Sequence, residues 1–219
     1  MPNFALQLLN LLAAIMLLIT FAMLSQRRPL SLNRLFTLHG VVLVLSSLLV
    51  AYVTGNSHLY YSAGLTLAIK VVLIPWIIHK VIIRLKAESD VDTLINVPTT
   101  MLIGIVLVII AFNLAMPIAQ LSTSITSGIL GIALACILLS FMMILIRSKA
   151  MPQVIGFLTM ENGLFFAATA ATSGMPMIVE LGVALSVVGG TLILGVFMFH
   201  IREQYDDLDI DHLENRKED

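Results

Sequence analysis

The chain has 219 residues, 59% of them hydrophobic and 11% charged, with a formal net charge of −1. Soluble domains carry about 45–50% apolar and about 25% charged residues, so the composition excludes a water-solvated globule, and no nucleic-acid patch is present. The single cysteine excludes disulfides within the chain, thiolate metal clusters and paired-cysteine redox motifs.

A helix needs about 20 predominantly apolar residues to cross a hydrocarbon core of roughly 30 Å. Seven such runs follow one another, at 4–25, 35–54, 61–83, 98–117, 125–146, 152–172 and 177–201. The expected fold is therefore all-α, a polytopic membrane protein of seven transmembrane helices with no soluble domain. Arg27, Arg28 and Arg34 follow the first run, Lys80, Arg84 and Lys86 the third, Arg147 and Lys149 the fifth, and Arg202, Arg216 and Lys217 the seventh. Eleven of the twelve basic residues thus fall on one side. Cytoplasmic loops near helix ends are enriched in Lys and Arg, which places the N-terminus outside and the C-terminus in the cytoplasm.

The first run lacks a basic n-region, is long for a signal-peptide core and has no small-residue cleavage site before Arg27, so it reads as a retained helix. The second run carries His39 near its cytoplasmic end, where the imidazole can pass protons or simply anchor the helix at the interface.

The third run holds the one basic residue that breaks the loop pattern. Lys70 lies ten residues inside Lys80, and at about 1.5 Å per residue it is roughly 15 Å deep, close to the midplane. In "AIKVVLIPW" the ring of Pro75 removes the hydrogen bond normally accepted by the Val71 carbonyl and kinks the helix beside Lys70. An unpaired carbonyl there can hold an amine or a water, although a plain kink is the alternative. His79, near the cytoplasmic end of this run, is open to the same two readings as His39.

The fifth run contains Cys136, a small packing residue, and Ser127, Gly131 and Ala135 at four-residue spacing, a pattern that lets helices approach closely in lipid. The sixth run contains "QVIGFLTMENGLFF", with Glu161 nine residues inside Pro152 and so roughly 14 Å deep. Lys70 and Glu161 share a depth. A charge at a helix centre costs about 2.5–3.5 kcal/mol on insertion scales, and such residues usually face a bundle interior or wet cavity and mark ion or proton paths. A structural polar contact between helices is the competing reading.

The seventh run contributes Glu180, about one turn inside the outer boundary, either a path residue or a solvated interfacial carboxylate. Gly182, Ser186 and Gly190 form a second small-residue pattern on that run. In the acidic tail, Asp207, Asp209, Asp211 and Glu218 stand at calcium-loop offsets, but His212 occupies the position that needs glycine. No histidine pair has metal-ligand spacing, and no glycine-rich phosphate loop or nucleophile elbow is present. The expectation is a non-catalytic chain with no metal and no organic cofactor.

These residues carry a resemblance. The stretch from about 125 to 205 resembles the small K-type subunit of respiratory complex I and the C subunit of multisubunit cation/proton antiporters, with "GFLTMENGLFF" placing Glu161 at the K-type glutamate of the middle helix. The whole chain is similar to the component E family of hydrogenase-4, membrane subunits of formate hydrogenlyase and related group 4 membrane-bound hydrogenases, through "AIKVVLIPWI", "QVIGFLTMENG", "IVELGVA" and the tail "LDIDHL". The second K-type glutamate falls here at 189–192, where no residue is ionisable, and some relatives are acidic where this chain has Ser186.

The resemblance implies a four-helix region at 1–124, a K-type-like three-helix region at 125–202 and an acidic cytoplasmic tail at 203–219. It further implies a subunit of an ion-translocating, complex I-like hydrogenase or related oxidoreductase in the cell (inner) membrane. Its partners would be other membrane subunits, antiporter-like ones among them, with lipid around it and no nucleic acid. A cation/proton antiporter subunit without redox partners is the alternative. The proton-path candidates are Glu161, Lys70 and Glu180, followed by His79 and His39.

Overall fold

A computed structural model of the chain describes residues 2–55, 57–84, 94–120, 127–172, 189–190 and 195. Among these the secondary structure is helical, and there is no strand. Helix α1 covers Pro2–Ser25, α2 Pro29–Thr54, α3 Ser57–Thr66 and α4 Ile74–Arg84, with a π-helical segment, Leu67–Leu73, joining the last two into one rod. Helices α5 (Val97–Gln120), α6 (Ser127–Ile146) and α7 (Ala150–Thr172) follow.

Local chemistry sets the tight corner on which the site depends. Arg28 is extended (φ −98°, ψ 124°) and Pro29 opens α2, because a proline at the first helical position supplies the right φ and lacks only an N–H that would be unpaired anyway. At the other end Gly55 adopts φ 67° and its N–H donates to the Ala51 carbonyl, a left-handed cap that a side chain would strain. With so short a turn, α2 and the Ser57–Arg84 rod must run antiparallel and adjacent.

Five helical spans are long and apolar enough to cross a membrane: Phe4–Ser25, Pro29–Thr54, Ser57–Ile83, Val97–Pro117 and Gly128–Ile146. The chain is a membrane protein by this measure. These spans coincide with the first five expected runs, although α2 starts six residues earlier than expected because Asn33 and Arg34 do not interrupt the helix. The sixth run forms α7, which carries Gln153, Thr159, Glu161 and Asn162. The seventh run with Glu180, and the tail at 203–219, lie outside the described residues, apart from helical backbone at Gly189, Gly190 and Gly195.

Helix α2 is central, packing on α1, on α7 and on the rod; α6 packs on α7, α5 and α1. The shared core includes Met16, Met23, Leu32, Phe36, Leu43, Ile74, Ile78, Leu139, Ile155 and Phe166. Gly131, from the small-residue pattern on α6, lies where a Cβ would collide with the ring of Phe112 on α5, so that position serves packing. Arg147, counted above among the loop charges, is buried, and its Nη2 donates to the carbonyls of Met23 and Leu24, both at 3.1 Å. A cation satisfying carbonyls at the C-terminal end of α1 is favoured by the helix dipole.

Candidate functional site

Lys70 stands at the centre of the π-helical segment. The N–H of Ile74 donates to the Ile69 carbonyl, five residues back rather than four. Such wide turns are rare and cluster at functional sites. Pro75 follows at once and has no N–H, so it can supply a partner neither to Val71 in the α register nor to Lys70 in the π register. The irregularity expected beside Lys70 thus takes the form of a π turn. The Pro75 carbonyl is held from the neighbouring helix, accepting a hydrogen bond from Asn33 Nδ2 at 3.0 Å.

Gly40 brings α2 against this turn. A Cβ at that position would lie 3.5 Å from the Lys70 carbonyl oxygen and 3.3 Å from Val71 Cγ2. The contact fixes the register between the two antiparallel helices, and the level of every other group in the seam follows from it.

Lys70 Nζ lies 2.7 Å from Glu161 Oε1 on α7. Lys70 is 3% exposed and Glu161 1%. Phe165, one turn beyond Glu161, places its ring centroid 5.5 Å from the ammonium, a distance at which the ring face attracts a cation. Two opposite charges in contact inside a low-dielectric bundle offset each other's desolvation, and the same contact allows a proton to pass directly between amine and carboxylate.

On the far side of Glu161, a Cβ at Gly189 would collide with Leu158 and stand 4.0 Å from Glu161 Oε2. A side chain at Gly189 would therefore require Leu158 to move.

No family model matches the chain, and no solved structure matches it. An uncharacterised protein of Mycobacterium tuberculosis is 28% identical to it over 163 residues, 74% of each chain. The functional reading therefore rests on the chemistry of the site.

His39 belongs to that site. It is fully buried, and its Nδ1 lies 3.4 Å from Asn162 Nδ2, on the residue next to Glu161. Its neighbour Gly40 touches Lys70, so His39, read from the sequence as a residue near a helix end that passes protons or anchors, sits at the level of the ion pair. The direction of the His39–Asn162 contact depends on the imidazole tautomer. His79 is on the exposed face of α4 and does not approach the pair. Glu180 lies outside the described residues. Among the described residues no three His, Cys, Asp or Glu side chains converge on a common point.

Asn162, Phe165, Gly40 and Asn33 were not singled out from the sequence. Asn162 had a visible signal, being a second polar residue beside Glu161 in an apolar run. Gly40 and Asn33 had none, because their roles depend on which helix lies opposite.

Proposed function

We propose that this chain is an integral membrane subunit of a complex I-like membrane-bound hydrogenase or related oxidoreductase, contributing to the proton or sodium path in the cell (inner) membrane. Redox centres and catalysis belong to partner subunits, antiporter-like subunits among them. The observation that carries the reading is the Lys70–Glu161 pair, a direct contact between two ionisable groups buried at mid-helix on different elements. In its charged form it is an ammonium against a carboxylate; moving one proton from Nζ to Oε1 gives a neutral amine against a carboxylic acid. The two forms differ in charge separation and in no heavy-atom bond, and a field from a partner subunit can bias between them. The π turn under Lys70 supports the reading, because such turns are frequent at functional sites.

The resemblance of residues 125–205 to antiporter C subunits favours a second reading, a cation/proton antiporter subunit with no redox partner. Native purification followed by mass spectrometry separates the two: iron–sulfur and nickel subunits belong to the first, antiporter-like subunits alone to the second.

The test of the path itself uses Glu161→Gln, Lys70→Met and the double variant in the native complex, with assembled protein and coupled ion translocation in vesicles both measured. A path residue cannot be replaced by a non-titrating one, so the double variant, which strands no charge, assembles but does not translocate. Wild-type translocation in the assembled double variant would make the pair a structural clamp.

A further inference from the structure

One face of the Ser57–Arg84 rod changes chemistry at Lys70. Ser62, Thr66, Lys70, Ile74, Ile78 and Ile82 recur at steps of four and are all buried. Toward the Gly55 end the steps are hydroxyls; toward the Arg84 end they are isoleucines. The opposing helix carries hydroxyls over the same levels. Gly40 is level with Lys70, so Ser47, seven residues further along an antiparallel helix, is about 10 Å away and level with Ala63, and Ser46 falls between Ser62 and Thr66. In the other direction α2 presents Phe36 and Leu32, both fully buried, and beside them Asn33, whose amide donates to the Pro75 carbonyl.

The hydroxyls on α2 are tied to their own helix, Ser46 to the Val42 carbonyl and Ser47 to the Leu43 carbonyl, and each oxygen keeps lone pairs with which it can accept. Ser62 is different. It is 1% exposed, and its Oγ has no hydrogen-bond partner among the described residues. A buried hydroxyl without a protein partner is rare and calls for an explanation, and water meets that need where several polar groups converge. Small residues packed for close helix approach would not require a buried hydroxyl at Ser62 with no partner among the described residues.

We infer that the seam between α2 and the rod is a one-sided water access path, reaching Lys70 from the Gly55 end along Ser62, Thr66, Ser46 and Ser47, and closed on the other side by Phe36, Ile74 and Ile78. The inference rests on the proposed ion path and gives it a direction: the pair exchanges protons with the membrane face on which α2 turns into α3. Release to the opposite face goes elsewhere, through α7 or a partner subunit, because the buried steps of the rod there are isoleucines and the Asn33 amide is held by the Pro75 carbonyl.

The test places single cysteines in the full chain with Cys136→Ala as background and probes them with silver ion, which is small enough to follow water. Labelled protein is quenched and denatured, and the remaining free thiols are counted with a fluorescent maleimide. Ser57→Cys and Arg28→Cys, both at exposed positions, mark the two faces in vesicles of either orientation. Ser62→Cys and Thr66→Cys should be blocked from the Ser57 face only, whereas Phe36→Cys and Ile78→Cys should stay free from both. Either hydroxyl position as unreactive as Ile78→Cys, or reactive from the Arg28 face, would overturn the path. Labelling needs no ion transport, so the two ideas fail separately. Correct labelling with wild-type translocation in the assembled Glu161→Gln, Lys70→Met double variant leaves the access path and removes the ion-path reading; lost translocation with unreactive hydroxyl positions does the reverse.

Discussion

Gly40 on α2 touches the backbone of Lys70 on the rod, with space for a Cβ only at 3.5 Å from the carbonyl oxygen and 3.3 Å from Val71 Cγ2. The whole seam is registered by this contact. Gly40→Ala should be accommodated by a small shift of the Val71 side chain. Gly40→Leu must push α2 off the π turn, and overpacking of this kind costs about 1–3 kcal/mol. Thermal unfolding in detergent should separate the two variants clearly, and equal midpoints would mean that the helices are not in contact there.

The Lys70–Glu161 contact makes a stability prediction separate from transport. Removing one partner of a buried pair leaves an uncompensated charge, at about 3–5 kcal/mol, while replacing both with neutral groups of similar size is far less damaging. Lys70→Met and Glu161→Gln should each lower the melting temperature of the detergent-solubilised chain, and the double variant should recover most of the loss. Additive losses in the double variant would show that the two side chains are not coupled.

His39 should be a neutral imidazole with its hydrogen on Nε2, because Asn162 Nδ2 faces Nδ1 at 3.4 Å and a donor there requires an acceptor. Nitrogen-15 NMR of histidine-labelled protein distinguishes the two tautomers by the shifts of the two ring nitrogens. A hydrogen found on Nδ1 would mean that Asn162 presents its oxygen instead. Asn162→Leu should abolish the tautomer preference without unfolding the bundle.

Arg147 joins α6 to the end of α1 through two hydrogen bonds from Nη2. Hydrogen bonds involving a charged group contribute about 1.5–3 kcal/mol each to stability, so Arg147→Met should be among the more destabilising changes outside the ion pair. Lysine, with a single compact head in place of a planar fork, should rescue only part of the loss. A melting temperature unchanged in Arg147→Met would refute the lock.

The orientation proposed from the basic loops is checked by reporter fusions at Asn56 and Glu88, on either side of the Ser57–Arg84 rod. The two should report opposite faces of the membrane, Asn56 outside and Glu88 in the cytoplasm. The same face for both would remove the rod from the list of spans.

Sequence alone determined that the chain is helical and belongs in a membrane, and it fixed the depth of its two anomalous charges. Depth is readable because an α-helix rises by a constant step per residue, so counting inward from Lys80 and from Pro152 brings Lys70 and Glu161 to one level. It also drew attention to Pro75. What it could not supply was direction around each helix axis or the identity of the facing helix. The π turn shifts that direction by altering the residues per turn within the rod, and the short Gly55 corner decides that α2 lies opposite. Only the tertiary structure therefore put Lys70 in contact with Glu161, drew His39 in from the boundary to Asn162, and left His79 on an exposed face. Helix rise is a local property of the backbone, whereas azimuth and partner are properties of the packed bundle.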